Sequence, residues 1–63
     1  PDTYASFQHA VITWRERQWW VEDTGSTNGT LLNRHLIDKP TPLNSGDIIQ
    51  VGRAKLKAVL LSP

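Results

Sequence analysis

The sequence predicts an all-β fold, a sandwich or small barrel, and three observations carry that prediction. β-Branched and aromatic residues come in short runs, the runs are separated by Gly-, Pro- and Asn-rich turns, and no stretch carries a sustained i, i+3, i+4 apolar pattern with helix caps. About six strands follow from this pattern.

The first run is His9-Ala-Val-Ile-Thr-Trp14, and the second is Gln18-Trp-Trp-Val-Glu22. The polar Arg15-Glu16-Arg17 between them makes the pair a hairpin. Trp19 and Trp20 are adjacent in a strand, so one faces inward and the other outward. Asp23-Thr-Gly-Ser-Thr-Asn-Gly-Thr30 has no large apolar side chain and reads as a loop. Leu31-Leu32 and Leu36-Ile37 flank a tight turn at Asn33-Arg34-His35. Asp38-Lys-Pro-Thr-Pro42 reads as a loop, because two prolines cannot serve an interior strand. Ile48–Val51 is the next strand, with Asp47 before it bonding backbone N–H groups in the turn. The last strand runs from Lys55 to about Leu61, with Leu56, Ala58 and Leu60 on one face. Arg53, Lys55 and Lys57 form a solvated edge that discourages aggregation.

Residues 1–63 make one domain at most. A chain of this length buries only about 60% of its unfolded surface, so its core seldom supplies more than ~3–5 kcal/mol. With no cysteine there are no disulfide staples or thiolate metal sites, and His9 and His35 lack metal-ligand spacing, so no metal or cofactor is expected. The absence of cysteine suits a reducing compartment, the cytoplasm or a nucleus. No apolar run approaches the ~20 residues that span a bilayer. Seven basic residues against six acidic ones give a net charge of +1, which provides no drive toward nucleic acid or an anionic membrane.

Three patterns occur in order: Ser6-Phe-Gln-His9, Gly25-Ser-Thr-Asn-Gly-Thr30, and Leu43-Asn-Ser-Gly-Asp-Ile-Ile-Gln-Val-Gly52. Together they resemble the forkhead-associated (FHA) domain family, whose signature includes S-x-x-H, G-S-T-N-G-T and L-x-x-G-D-x-I-x-x-G. The resemblance covers Ser6 to Gly52. It implies an antiparallel two-sheet β-sandwich whose loops at one end hold a phosphothreonine-containing protein or peptide. Carried over, Ser6 donates its hydroxyl to the phosphate, Thr27 bonds the phosphate, and Asn28 holds the main chain of the bound peptide. His9 braces the loops, and Gly25 and Gly29 permit their geometry. Phe7 stands where many family members place a basic or polar ligand-contacting residue. The chemistry is apt: phosphothreonine carries about −1.5 to −2 charge and three strong acceptor oxygens, hydroxyls and turn N–H groups form a concave donor cluster, and an Asn amide both donates and accepts.

The family's phosphate-binding Gly-Arg motif lies upstream of Ser6 and is not among these residues; Gly52-Arg53 matches it by letter only and is expected at the wrong end of the module. Without that arginine, binding should weaken by one to two orders of magnitude, since a charged hydrogen bond is worth roughly 1.5–3 kcal/mol. Beginning at Pro1, the chain reads as a fragment whose N-terminal strands are supplied by a second chain, an N-terminal fragment or a swapped copy of itself. Competing readings are a phosphate-independent assembly module of the same fold and a hydrolase built from Ser6, His9 and Asp23, for which no substrate cleft is marked. Asn28-Gly29-Thr30 also fits a glycosylation acceptor, relevant only to a secreted chain. Gly25–Gly29 opens no helix and is followed by no lysine, which excludes a nucleotide P-loop.

Overall fold

A computed structural model describes residues 4–7, by their backbone alone, and residues 9–61. Among the described residues, eight antiparallel strands form two four-stranded sheets. The strands are β1 (Tyr4–Phe7), β2 (Ala10–Arg15), β3 (Gln18–Asp23), β4 (Thr30–Leu32), β5 (His35–Ile37), β6 (Thr41–Leu43), β7 (Ile48–Val51) and β8 (Ala54–Lys57). The orders are β1-β2-β3-β6 and β5-β4-β7-β8, the arrangement of an all-β sandwich.

The β2–β3 hairpin is the longest ladder, running from Ala10 opposite Asp23 to Arg15 opposite Gln18. It turns on Glu16 and Arg17, both in left-handed conformation (φ 54° and 62°), the pattern of a type I′ turn whose twist matches the flanking strands. Trp14 and Trp19 lie directly opposite each other and meet edge-to-face at 5.2 Å, a geometry favoured by the ring quadrupoles. Trp19 packs against the core and its Nε1 donates to the Leu61 carbonyl at 3.2 Å. Trp20 carries the Arg15 guanidinium 4.5 Å from its ring centroid.

The core lies between the sheets. Val21 and Leu43 enter from one, Leu32, Ile37 and Ile49 from the other, and Ala58 closes it from the C-terminal segment. The alternation seen in the sequence produces this: Ile49 is buried beside exposed Ile48, and Ile37 beside exposed Leu36.

Two expectations are corrected, and one strand appears where the sequence marked none. Tyr4–Phe7 pairs along β2 from Tyr4–Thr13 to Phe7–Ala10. Thr41 and Pro42, expected to complete a loop, form strand β6 with Leu43 beside β3. It sits at the sheet edge, where Pro42 needs no ladder N–H on its free side, and it delivers the almost completely buried Leu43. Finally, β8 ends at Lys57 instead of continuing to Leu61. From there the chain pairs with the 44–47 turn: Ala58 N–H donates to Asp47 O (2.8 Å), Gly46 N–H to Ala58 O (2.7 Å) and Leu60 N–H to Ser45 Oγ (3.1 Å). Ala58 and Leu60 still reach the core, but Leu56 lies at the sheet edge and stays 40% exposed.

Asp47 acts in its turn as expected, accepting the Asn44 N–H at 2.8 Å. Its other oxygen accepts from Asn33 Nδ2 at 3.0 Å, while Asn33 Oδ1 accepts the Ile48 N–H at 2.9 Å. The β4–β5 turn is thereby fastened to the start of β7.

Candidate functional site

The segment from Thr24 to Gly29 joins the two sheets, and Asp23 at the end of β3 organises it. Asp23 Oδ1 accepts the N–H groups of Gly25 (2.8 Å) and Ser26 (3.0 Å). Oδ2 accepts the hydroxyls of Ser26 and of Thr30, the latter at 2.8 Å. An aspartate followed by small residues folds this way because its short carboxylate reaches N–H groups two and three residues on. The Ser26 hydroxyl foremost, then the Gly25 and Ser26 N–H groups and the Thr30 hydroxyl, hold the Asp23 carboxyl well below the usual carboxylate range. Asp23 is therefore an ionised staple at the base of the loop, and Thr30 beneath it is fully buried.

This arrangement divides the loop's hydroxyls. Those of Ser26 and Thr30 are committed to Asp23, whereas the exposed side chains of Thr24, Thr27 and Asn28 have no hydrogen-bond partner among the described residues. Gly25 and Gly29 flank this tip at φ 107° and 85°, values that side chains other than hydrogen resist. A Cβ on Gly29 would overlap Leu36 Cδ1, whereas Gly25 faces open space.

His9 lies in the β1–β2 turn at φ 72°. Its carbonyl accepts the Thr24 N–H at 2.8 Å, which ties this turn to the loop. The imidazole makes no hydrogen bond among the described residues; it lines a cleft with Ser26, Thr27 and Asn28. Ser6 lies opposite Val11 and Phe7 opposite Ala10, and these in turn face Glu22 and Asp23 across the next ladder. The backbone of Ser6 and Phe7 is thus at the loop's end of the sheet; their side chains lie outside the described residues. With its carboxylate oxygens engaged by the loop, Asp23 makes no bond to His9 that would complete the hydrolase arrangement.

Arg53 contradicts its expected position. The two-residue Gly52-Arg53 turn between β7 and β8 forms the opposite wall of the His9–Asn28 cleft, together with Val51 and Leu56. The cleft holds about 440 Å³. Gly52-Arg53 is therefore at the same end of the molecule as Thr27 and Asn28. Local sequence offers no signal for this, because the approach is created by pairing β4 with β7. A second cleft of about 520 Å³ lies on the other flank of the loop, toward the segment from Leu36 to Pro40.

These features define a binding module: a two-sheet sandwich with one preorganised polar loop cluster and free donors at its tip. The chain belongs to the FHA domain family, whose model it matches over residues 1–52. This family is a phosphopeptide-binding module, and the domain is a binding unit, not a catalytic one. The chain is 38% identical over 56 residues to the FHA domain-containing protein FhaB of Mycobacterium tuberculosis, covering 89% of this chain and 36% of FhaB. It is 36% identical over 55 residues to the glycogen accumulation regulator GarA of the same species, covering 87% of this chain and 33% of GarA. It is 40% identical over 63 residues to protein phosphatase 2C 70 of Arabidopsis thaliana, covering 81% of this chain but 11% of that enzyme. The chain thus spans about a third or less of these relatives. No solved structure matches it.

Proposed function

We propose that this domain binds phosphothreonine-containing peptides, with Thr27 and Ser6 donating to the phosphate and Asn28 holding the peptide main chain. Phe7 flanks the bound residue, while His9, Gly25 and Gly29 fix the loops. The observation that carries this reading is the division of labour around Asp23. Two hydroxyls and two N–H groups are used to fix the loop, and Thr27 and Asn28 are left exposed at its tip. Groups fixed before the ligand arrives lose little entropy on binding, and a dianionic phosphoryl group is the ligand for which clustered hydroxyl and N–H donors are best suited.

The test is a titration of a phosphothreonine peptide and its unphosphorylated twin, followed by fluorescence anisotropy. Binding of the phosphorylated peptide alone is expected. Asn28→Ala should weaken it about tenfold, the loss of one or two main-chain hydrogen bonds at ~1 kcal/mol each. Equal affinity for the twins would remove the reading in favour of a phosphate-independent assembly module, and an Asn28→Ala variant of undiminished affinity would remove Asn28 from the site.

A further inference from the structure

The loop carrying Thr27 and Asn28 separates two clefts of opposite character. On one flank the charged and titratable lining consists of His9 and Arg53, set among the apolar side chains of Val51 and Leu56, with no acidic residue. On the other flank stand Glu22, Asp23 and Asp38, with Lys39 as the single base. Ser26, Thr27 and Asn28 line both clefts, so they form the ridge between them. Arg53, Glu22 and Asp38 are all exposed, and none is in an ion pair among the described residues, where Arg15–Glu16 is the one found. Their charges are therefore directed to solvent or to a ligand.

We infer that the domain selects its ligand by charge polarity: it takes a peptide with acidic residues on the side of the phosphothreonine that lies toward Arg53, and basic or neutral residues on the side toward Glu22 and Asp38. This rests on the phosphothreonine reading and deepens it. An extended peptide whose phosphate is held at the ridge must send its two arms to opposite flanks, because about 3.3 Å per residue carries the chain off the ridge within two or three residues. One arm then runs past a guanidinium and the other past two free carboxylates. An acidic side chain gains an ion pair on the first flank and meets like charge on the second. Arg53 is well suited to the first task, since its planar fork takes a carboxylate through two parallel hydrogen bonds. The apolar Val51 and Leu56 beside it provide a surface for the aliphatic part of the same ligand side chain.

The experiment uses the full protein and six peptides of equal length: three phosphothreonine peptides, with neutral flanks, with acidic N-side and basic C-side flanks, and with the reverse, together with the unphosphorylated form of each. One polarised phosphopeptide should bind about five- to tenfold more tightly than its reverse, with the neutral one between, as expected for a few exposed charge pairs. Arg53→Glu should abolish or invert the preference, Arg53→Gln should halve its logarithm, and Asp38→Lys should erode it independently. Lys57→Glu, an equal charge change on exposed β8 away from both clefts, should leave it intact. The preference should shrink as salt shortens the screening length from about 10 Å at 0.1 M. Equal binding of both polarised phosphopeptides, with phosphate discrimination retained, overturns the charge reading and leaves the phosphothreonine reading standing. Loss of preference in Lys57→Glu as large as in Arg53→Glu removes the role of Arg53. Equal binding of phosphorylated and unphosphorylated peptides overturns both readings.

Discussion

Replacing Gly29 by alanine separates two costs that the structure superimposes. Gly29 sits at φ 85°, and a Cβ there would run into the Leu36 side chain. The backbone cost of a left-handed L-residue is roughly 1–2 kcal/mol. Alanine also restricts the unfolded chain, which returns about 0.4–1 kcal/mol, so backbone strain alone leaves a net loss of about 1 kcal/mol. The steric cost is smaller than the overlap suggests. The obstructing atom is the far end of a side chain that is 66% exposed, so Leu36 can rotate into solvent. Gly25, at φ 107° in open space, carries the backbone cost without the overlap. Gly29→Ala and Gly25→Ala should therefore destabilise the protein by similar amounts, each about 1 kcal/mol in urea unfolding with an unchanged m-value. Leu36→Ala added to Gly29→Ala should restore little. Full rescue by Leu36→Ala, or a Gly29→Ala protein as stable as wild type, would refute the assignment of the cost to φ. Both glycine variants should also weaken phosphopeptide binding, because the strain is relieved by moving Thr27 and Asn28.

Two further predictions follow from other turns and from the loop's base. Glu16-Arg17 makes a type I′ turn with two residues that gain nothing from left-handed geometry, so Asn-Gly in their place should stabilise the protein by about 1 kcal/mol, net of the weak exposed Arg15–Glu16 pair. A denaturant midpoint that stays or falls would show that this hairpin is not strained. The folded-state pKa of Asp23 is depressed, so its stabilisation is complete above the unfolded value of about 3.9 and declines as pH falls below it. Unfolding midpoints measured from pH 6 down to pH 3 should fall more steeply for wild type than for Asp23→Asn, and parallel slopes would refute the staple.

What the sequence disclosed and what it withheld follow physical lines. The β2–β3 hairpin, the Asp23–Thr30 loop and the buried side of β7 were legible because each is written in local alternation or in turn residues. Strands β1 and β6 were not, since both are short edge strands whose existence depends on a neighbour. Pro42 argued against a strand until its place at the edge was known. The end of β8 was equally hidden: Ala58 and Leu60 keep the strand alternation but bond to the 44–47 turn. In the site, the candidates near the loop could be named from motif letters, but the work of Asp23 could not be read from them. Arg53 looked like part of a solvated edge, because only the β4–β7 pairing carries the β7–β8 turn to the tip of a loop more than twenty residues earlier in the chain.

The position of Asp23 also resolves an apparent conflict in a site proposed to hold a dianion. A bare carboxylate near the phosphate would oppose binding, by an amount that grows as water is excluded. Asp23, however, directs its two oxygens to three donors of the loop and to the Thr30 hydroxyl at the start of β4. Its charge is thereby spread into the N–H and O–H dipoles that hold Ser26 and Thr30 inward, and the polar side chains left exposed and unbonded are the uncharged Thr24, Thr27 and Asn28. Were Ser26 free, the loop would have one more donor but no fixed shape, and each mobile side chain ordered on binding costs about 0.5–1.5 kcal/mol. Spending an acid and two hydroxyls on rigidity is favourable when the remaining donors must meet a tetrahedral group at defined positions. On this argument the specificity of the domain lies in how few of its loop's polar groups are left unbound, and Asp23 decides which ones they are.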